Sequence, residues 1–162
     1  MNIISLPILW TIVLDCIAWT VIQPSIAYLA LRFPPSVLDH RSWLYRTRAW
    51  EKGGVIYEEL FHVKKWKSLL PDAGTLFPGA FSKEHIQSHD REYLRVWVRE
   101  SCRAELCHWV AMLPSLLFFL WNPFYLGVAM VVYAVVFNTI PIVVQRYNRP
   151  RLLAIVSRKT EV

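Results

Sequence analysis

The residues best placed to do chemistry lie in Arg99-Glu-Ser-Cys-Arg-Ala-Glu-Leu-Cys-His-Trp109, where a charged helix is predicted to run straight into a membrane span. At 3.6 residues per turn, Ser101, Glu105 and His108 share one face, and Glu105 and His108, three apart, are within reach of each other. Arg103 lies one turn from Glu100, and Val110 to Trp121 follow, apolar apart from Ser115. A carboxylate at such a boundary is costly, about 2.5–3.5 kcal/mol at a helix centre and less near the edge, which makes function the default reading. An imidazole with a carboxylate beside it can take the proton from an attacking hydroxyl. The chemistry this suits is general acid–base catalysis, with His108 as general base and Glu105 fixing its ring orientation or tautomer. Arg103 or Asn138 is then the candidate donor to negative charge that develops in the reaction. On the same residues, a buried polar pair tying one span to the next through Asn138 or Gln145 is the structural alternative.

Positioning these groups falls to elements that are mostly apolar. The chain has 162 residues, about one domain, of which 55% are hydrophobic and 14% aromatic, with eight Trp. The apolar residues are gathered in blocks at 3–31, 104–121 and 123–144, each near or above the ~20 residues a helix needs to cross the bilayer. All eighteen Lys and Arg lie between Arg32 and Arg103 or from Arg146 onward. The positive-inside rule then predicts an all-α integral membrane protein with three transmembrane helices, its N-terminus outside. Residues 32–103 become a cytoplasmic interfacial segment, Asn122-Pro123 an external hairpin, and residues 145–162 a cytoplasmic tail. The net charge of +6 reads as attraction to anionic headgroups, and no nucleic-acid-binding motif accompanies it. The first block lacks a basic leader and carries Pro7 and Pro24, which argues for a span and against a cleaved signal peptide.

Asp15, near the middle of the first span, should face protein or water, with Gln23 available to solvate it. Cys16, Cys102 and Cys107 form no CxxC pair and read as reduced packing residues; Cys107 and His108 point about 100° apart on a helix, a poor nucleophile–base geometry. Between Arg48 and Asp72, Gly53-Gly54 makes a joint, Val55 to Val63 has helical spacing, and Lys64-Lys-Trp-Lys67 alternates cations with an aromatic as a headgroup-layer segment should. Asp72 reads as a turn residue or cap with a chemical role as the alternative. His85 and Asp90 have the H-x4-D spacing of a class of glycerolipid acyltransferases, but the strands of that α/β fold are not found. His85 and His89 lack a third metal ligand by spacing, so no metal is predicted. The third span carries Asn138 and Pro141, then ends in Gln145-Arg-Tyr-Asn-Arg-Pro-Arg151, whose guanidinium forks and amides suit a phosphate or carboxylate.

Arg103-Ala-Glu-Leu-Cys-His-Trp109, Asn138-x-x-Pro141, Gln145-Arg-Tyr-Asn-Arg-Pro-Arg-Leu152, and Trp50-Glu51 followed by Val63-Lys-Lys-Trp-Lys67 and Asp72 together resemble the glycosyl-4,4'-diaponeurosporenoate acyltransferase family. These are small membrane enzymes that finish staphyloxanthin-type carotenoids, and the likeness runs from about Ile26 to Leu152. The resemblance implies transfer of a long-chain fatty acyl group to a sugar hydroxyl of a glycosylated carotenoid or related glycolipid in a bacterial cell membrane. It implies no cofactor beyond an acyl-CoA or acyl-carrier-protein donor. Asn138, Gln145, Arg146, Asn148, Arg149, Arg151, Glu51, Lys65, Trp66, Asp72 and His85 are the expected substrate contacts, the arginines for the donor's phosphates. A non-catalytic glycolipid-binding or scaffolding protein is the alternative; an ion channel would need more polar residues along the spans. Three spans make a thin bundle for two substrates, which leaves a homodimer open.

Overall fold

A computed structural model of the chain describes residues 4, 6–70 and 90–158, and within these every regular element is helical. Three helices are long and apolar enough to cross a membrane. The first, α1, is Ile8–Ala30, 23 residues or about 35 Å at 1.5 Å per residue. It carries Pro24 inside it and turns Ile12, Ile17 and Val21 outward, as lipid-facing residues should be. A connecting segment follows with 3-10 turns at Pro35–Val37 and Ala49–Gly54, then α2 (Val55–Phe61), α3 (Val63–Trp66) and a 3-10 turn at Lys67–Leu69. The left-handed backbone at Lys52, Gly53 and Gly54 makes the predicted joint, and a further left-handed residue, His62, breaks the Val55–Val63 helix in two.

Helix α4, Arg91–Met112, starts where Asp90 caps it, the carboxylate accepting from the amides of Glu92 (3.0 Å) and Tyr93 (3.4 Å). Past Met112 it tightens into a 3-10 helix, Leu113–Leu120, because Pro114 has no N–H for the α-helical ladder. After the turn at Asn122-Pro123 comes α5, Phe124–Arg158. Its 35 residues extend about 52 Å, well beyond the ~30 Å of hydrocarbon, so one end must stand in the polar layer. Gln145 to Arg151, beyond the predicted end of the third span, is still helix, continuous through Pro150, and presents its side chains on helical faces.

Helix α4 runs antiparallel to both neighbours. At the hairpin end Trp19 stacks on Phe118, ring centroids 4.8 Å apart, and donates to Met130 Sδ. Asp15 is buried there, but its partners are Trp121 Nε1 (2.7 Å) and Asn122 Nδ2 (2.8 Å), not Gln23. Gly127 lets the hairpin close, since a Cβ there would lie 2.4 Å from the Phe119 ring. At the other end the connecting segment folds back onto α5, where Tyr57 and Val63 pack on Val143, Val144 and Tyr147. Leu94, Trp97 and Val98 of α4 pack on Leu152.

Candidate active site

At the polar end of the α4–α5 interface a carboxylate and a guanidinium have been withdrawn from water together: Glu105 is 0% and Arg149 1% exposed. Glu105 Oε2 accepts from Arg149 Nη2 at 2.6 Å, and its Oε1 accepts from Arg146 Nε at 2.8 Å and Trp109 Nε1 at 3.3 Å. Arg146 reaches on through Nη1 to Glu51 Oε1 at 2.6 Å and through Nη2 to the carbonyl of Leu44. Arg149 adds donors to Ser101 Oγ (2.7 Å), the Ser101 carbonyl and the Tyr45 carbonyl, with the Tyr45 ring under it. Two carboxylates face two guanidiniums, so the cluster is neutral and its polar atoms are largely satisfied, the condition under which buried charge is tolerable. Tyr57 adjoins Glu51 and Arg146; its phenol is pushed up to about 12 by burial first and by the Glu51 charge next.

His108 is one helical turn deeper, and its Nδ1 lies 2.9 Å from Asn138 Oδ1. The Asn138 amide nitrogen donates to the Ala134 carbonyl at 2.9 Å, which turns the amide oxygen toward the ring. An Nδ1–H donated to that oxygen puts the basic lone pair on Nε2. By helical spacing Gln145 falls on the same face of α5 as Asn138 and Arg149; it is 9% exposed, and its Oε1 has no hydrogen-bond partner among the described residues.

The predicted residues thus divide into groups. Glu105, Arg146, Arg149 and Glu51 come together as one ion network, and His108 and Asn138 as a pair beside it. The partner observed at the His108 Nδ1 is Asn138, while the Glu105 oxygens are taken by the arginines and Trp109. Arg103 is engaged at the end of α1: Nε donates to Glu100 at 2.9 Å and Nη1 to the carbonyls of Ala30, Leu31 and Phe33. Ala30 and Leu31 close α1, the Ala30 carbonyl also accepting from the Phe33 amide at 3.1 Å, and a cation is what the negative end of the helix dipole favours. Arg151 and Asn148 lie apart from the network, near Lys67. Trp66 donates to the Phe61 carbonyl at 2.7 Å, and Lys65 is exposed. Asp72 and His85 lie outside the described residues. Tyr45, Tyr57 and Lys67 carry no local signal, since only the folding of the connecting segment onto α5 brings them here.

A bundle of three spanning helices with a buried Glu–Arg network beside a His–Asn pair defines a small helical protein built to hold charge at a lipid boundary. Over residues 40–158 the chain matches the glycosyl-4,4'-diaponeurosporenoate acyltransferase family, and it belongs to that family. It is 35% identical over 134 residues to the enzyme of that name from Staphylococcus haemolyticus, covering 83% of this chain and 78% of the relative. It is 32% identical over 146 residues to the one from Staphylococcus aureus, 88% of each chain. No solved structure matches it significantly. The protein is an acyltransferase.

Proposed function

We propose that this enzyme moves a long-chain fatty acyl group from a thioester donor, acyl-CoA or acyl-carrier protein, to a sugar hydroxyl of a glycosylated carotenoid or related glycolipid. The observation that carries the reading is the His108 Nδ1–Asn138 Oδ1 contact, which leaves Nε2 as the basic nitrogen at a lipid boundary. In this mechanism Nε2 removes the proton from the sugar hydroxyl as its oxygen attacks the thioester carbonyl. Collapse of the tetrahedral intermediate expels the thiolate, which leaves with that proton. The Gln145 Oε1, buried with no donor among the described residues, accepts from a neighbouring sugar hydroxyl and holds the acceptor in register. Glu105 acts through the arginines, fixing α4 against α5 and so the depth of His108. The membrane confines both lipid chains to two dimensions, with their reacting heads in one layer.

The charge distribution supports a bacterial cell-membrane location with the N-terminus outside and the network and C-terminus on the cytoplasmic side, where the donor is made. Membranes supplied with labelled acyl-CoA and a glycosylated carotenoid provide the test. His108→Ala should lower ester formation by about 10²–10⁴-fold while the protein stays folded in the membrane. Full activity in that variant removes the base assignment.

A further inference from the structure

Lys67 opens the 3-10 turn that ends the connecting segment, and Arg151 lies on α5 one turn beyond Tyr147. Both cations are held against one buried ring. The Arg151 guanidinium carbon is 3.7 Å and Lys67 Nζ 5.1 Å from the Tyr147 centroid. Lys67 Nζ donates to Asn148 Oδ1 at 3.1 Å, and Arg151 Nη1 donates to the Tyr147 carbonyl. Neither cation has a carboxylate within ion-pair distance among the described residues, whereas Arg146 and Arg149 are matched by Glu51 and Glu105. Two positive charges are therefore held close by a neutral ring and an amide, and they repel each other. The Lys67 ammonium is pushed below its ordinary pKa by burial first and by Arg151 next, against a weaker pull from Glu58. An arrangement of this kind gains most from an anion between or above its cations.

We propose that Lys67, Arg151 and Asn148 form a seat for a phosphate ester, separate from the neutral arginine network. The chemistry fits a phosphate of a coenzyme A-type donor and equally an anionic phospholipid headgroup. The donor assignment rests on the function proposed above; the phosphate seat itself does not. From Arg151 to Asn138 is about 20 Å along α5, a separation that an extended pantetheine arm between phosphate and thioester can cover.

The test is binding, not turnover. The full chain in nanodiscs of zwitterionic phosphatidylcholine is titrated with coenzyme A and with pantetheine, which lacks phosphate, following tryptophan fluorescence. Coenzyme A should bind saturably and pantetheine should not. Lys67→Gln and Arg151→Gln should each weaken coenzyme A binding by about tenfold or more. Lys67→Arg, which keeps the charge, should retain it and guards against a mere folding defect. His108→Ala should bind coenzyme A as the unaltered chain does, so failure of the base assignment is separable from failure of the seat. Discs containing phosphatidylglycerol distinguish the source: if that lipid occupies the seat, it is retained by the unaltered chain and lost by the double Lys67→Gln, Arg151→Gln variant. Absence of binding to both phosphates, or binding unchanged in the folded double variant, overturns the proposal.

Discussion

Glu105 has neighbours that decide what it can do. With both oxygens accepting from guanidiniums in a buried interface, it is the hub on which Arg146 and Arg149 depend. Replacing it by Ala leaves two buried cations with one remaining carboxylate, Glu51, and should destabilise the fold by about 3–5 kcal/mol in detergent unfolding followed by tryptophan fluorescence. Asn138→Ala belongs to the same scale but predicts a different outcome. It removes the acceptor that holds the His108 tautomer, so turnover should fall by about tenfold or more with the fold retained, measured with acceptor saturating. The sequence showed Glu105 and His108 as helical neighbours, and that spacing is real. It could not show that two guanidiniums on another helix would hydrogen-bond that carboxylate.

Among the elements, the joint between the connecting segment and α5 is the most exacting. Gly54 has φ of +86°, and a Cβ there would lie 3.0 Å from the Tyr147 carbonyl, 3.1 Å from that of Arg146 and 3.1 Å from Arg151 Nη1. The carbonyl of Arg146 is the one Pro150 leaves without its helical donor, so the loop lies against a gap in the ladder. Gly54→Ala should therefore cost about 1–3 kcal/mol and loosen the segment, read as faster proteolysis between α2 and the Lys67–Leu69 turn. Gly53→Ala is the control: its φ is +63° but nothing lies within 4 Å, so only backbone strain of about 1 kcal/mol applies. Sequence patterning placed this joint from Gly-Gly and gave the Asn122-Pro123 turn. It ended the third span at Val144 but did not say how far the helix runs on, because a drop in hydropathy marks where a helix leaves lipid, not where its hydrogen bonds stop.

Across the whole molecule the polar groups are divided between two ends. Asp15 and Asn122 close the hairpin end, while Arg103 on the α1 carbonyls and the arginine network close the other. From Asp15 to Ala30 is about 22 Å along α1, so the two closures are independent in space. Asp15→Ala should leave the Trp121 and Asn122 donors buried without a partner and lower stability by about 1–3 kcal/mol. Acylation by the folded fraction should change little, which thermal unfolding and initial rates on one preparation will show. A large loss of turnover at unchanged stability would instead give Asp15 a part in the reaction.

Hydropathy blocks, charge asymmetry and capping residues determined from the sequence alone that this chain is a three-span helical protein, with its acid, base and arginines at one boundary. Those properties are local sums along the chain, and the bilayer reads them residue by residue. Which carboxylate meets which cation was decided only by the tertiary structure. The antiparallel setting of α4 on α5 and the folding back of residues 43–67 select among pairings that spacing leaves equal. Burial then makes the selected ones decisive, because in a buried interface an unmatched charge costs far more than an exposed one.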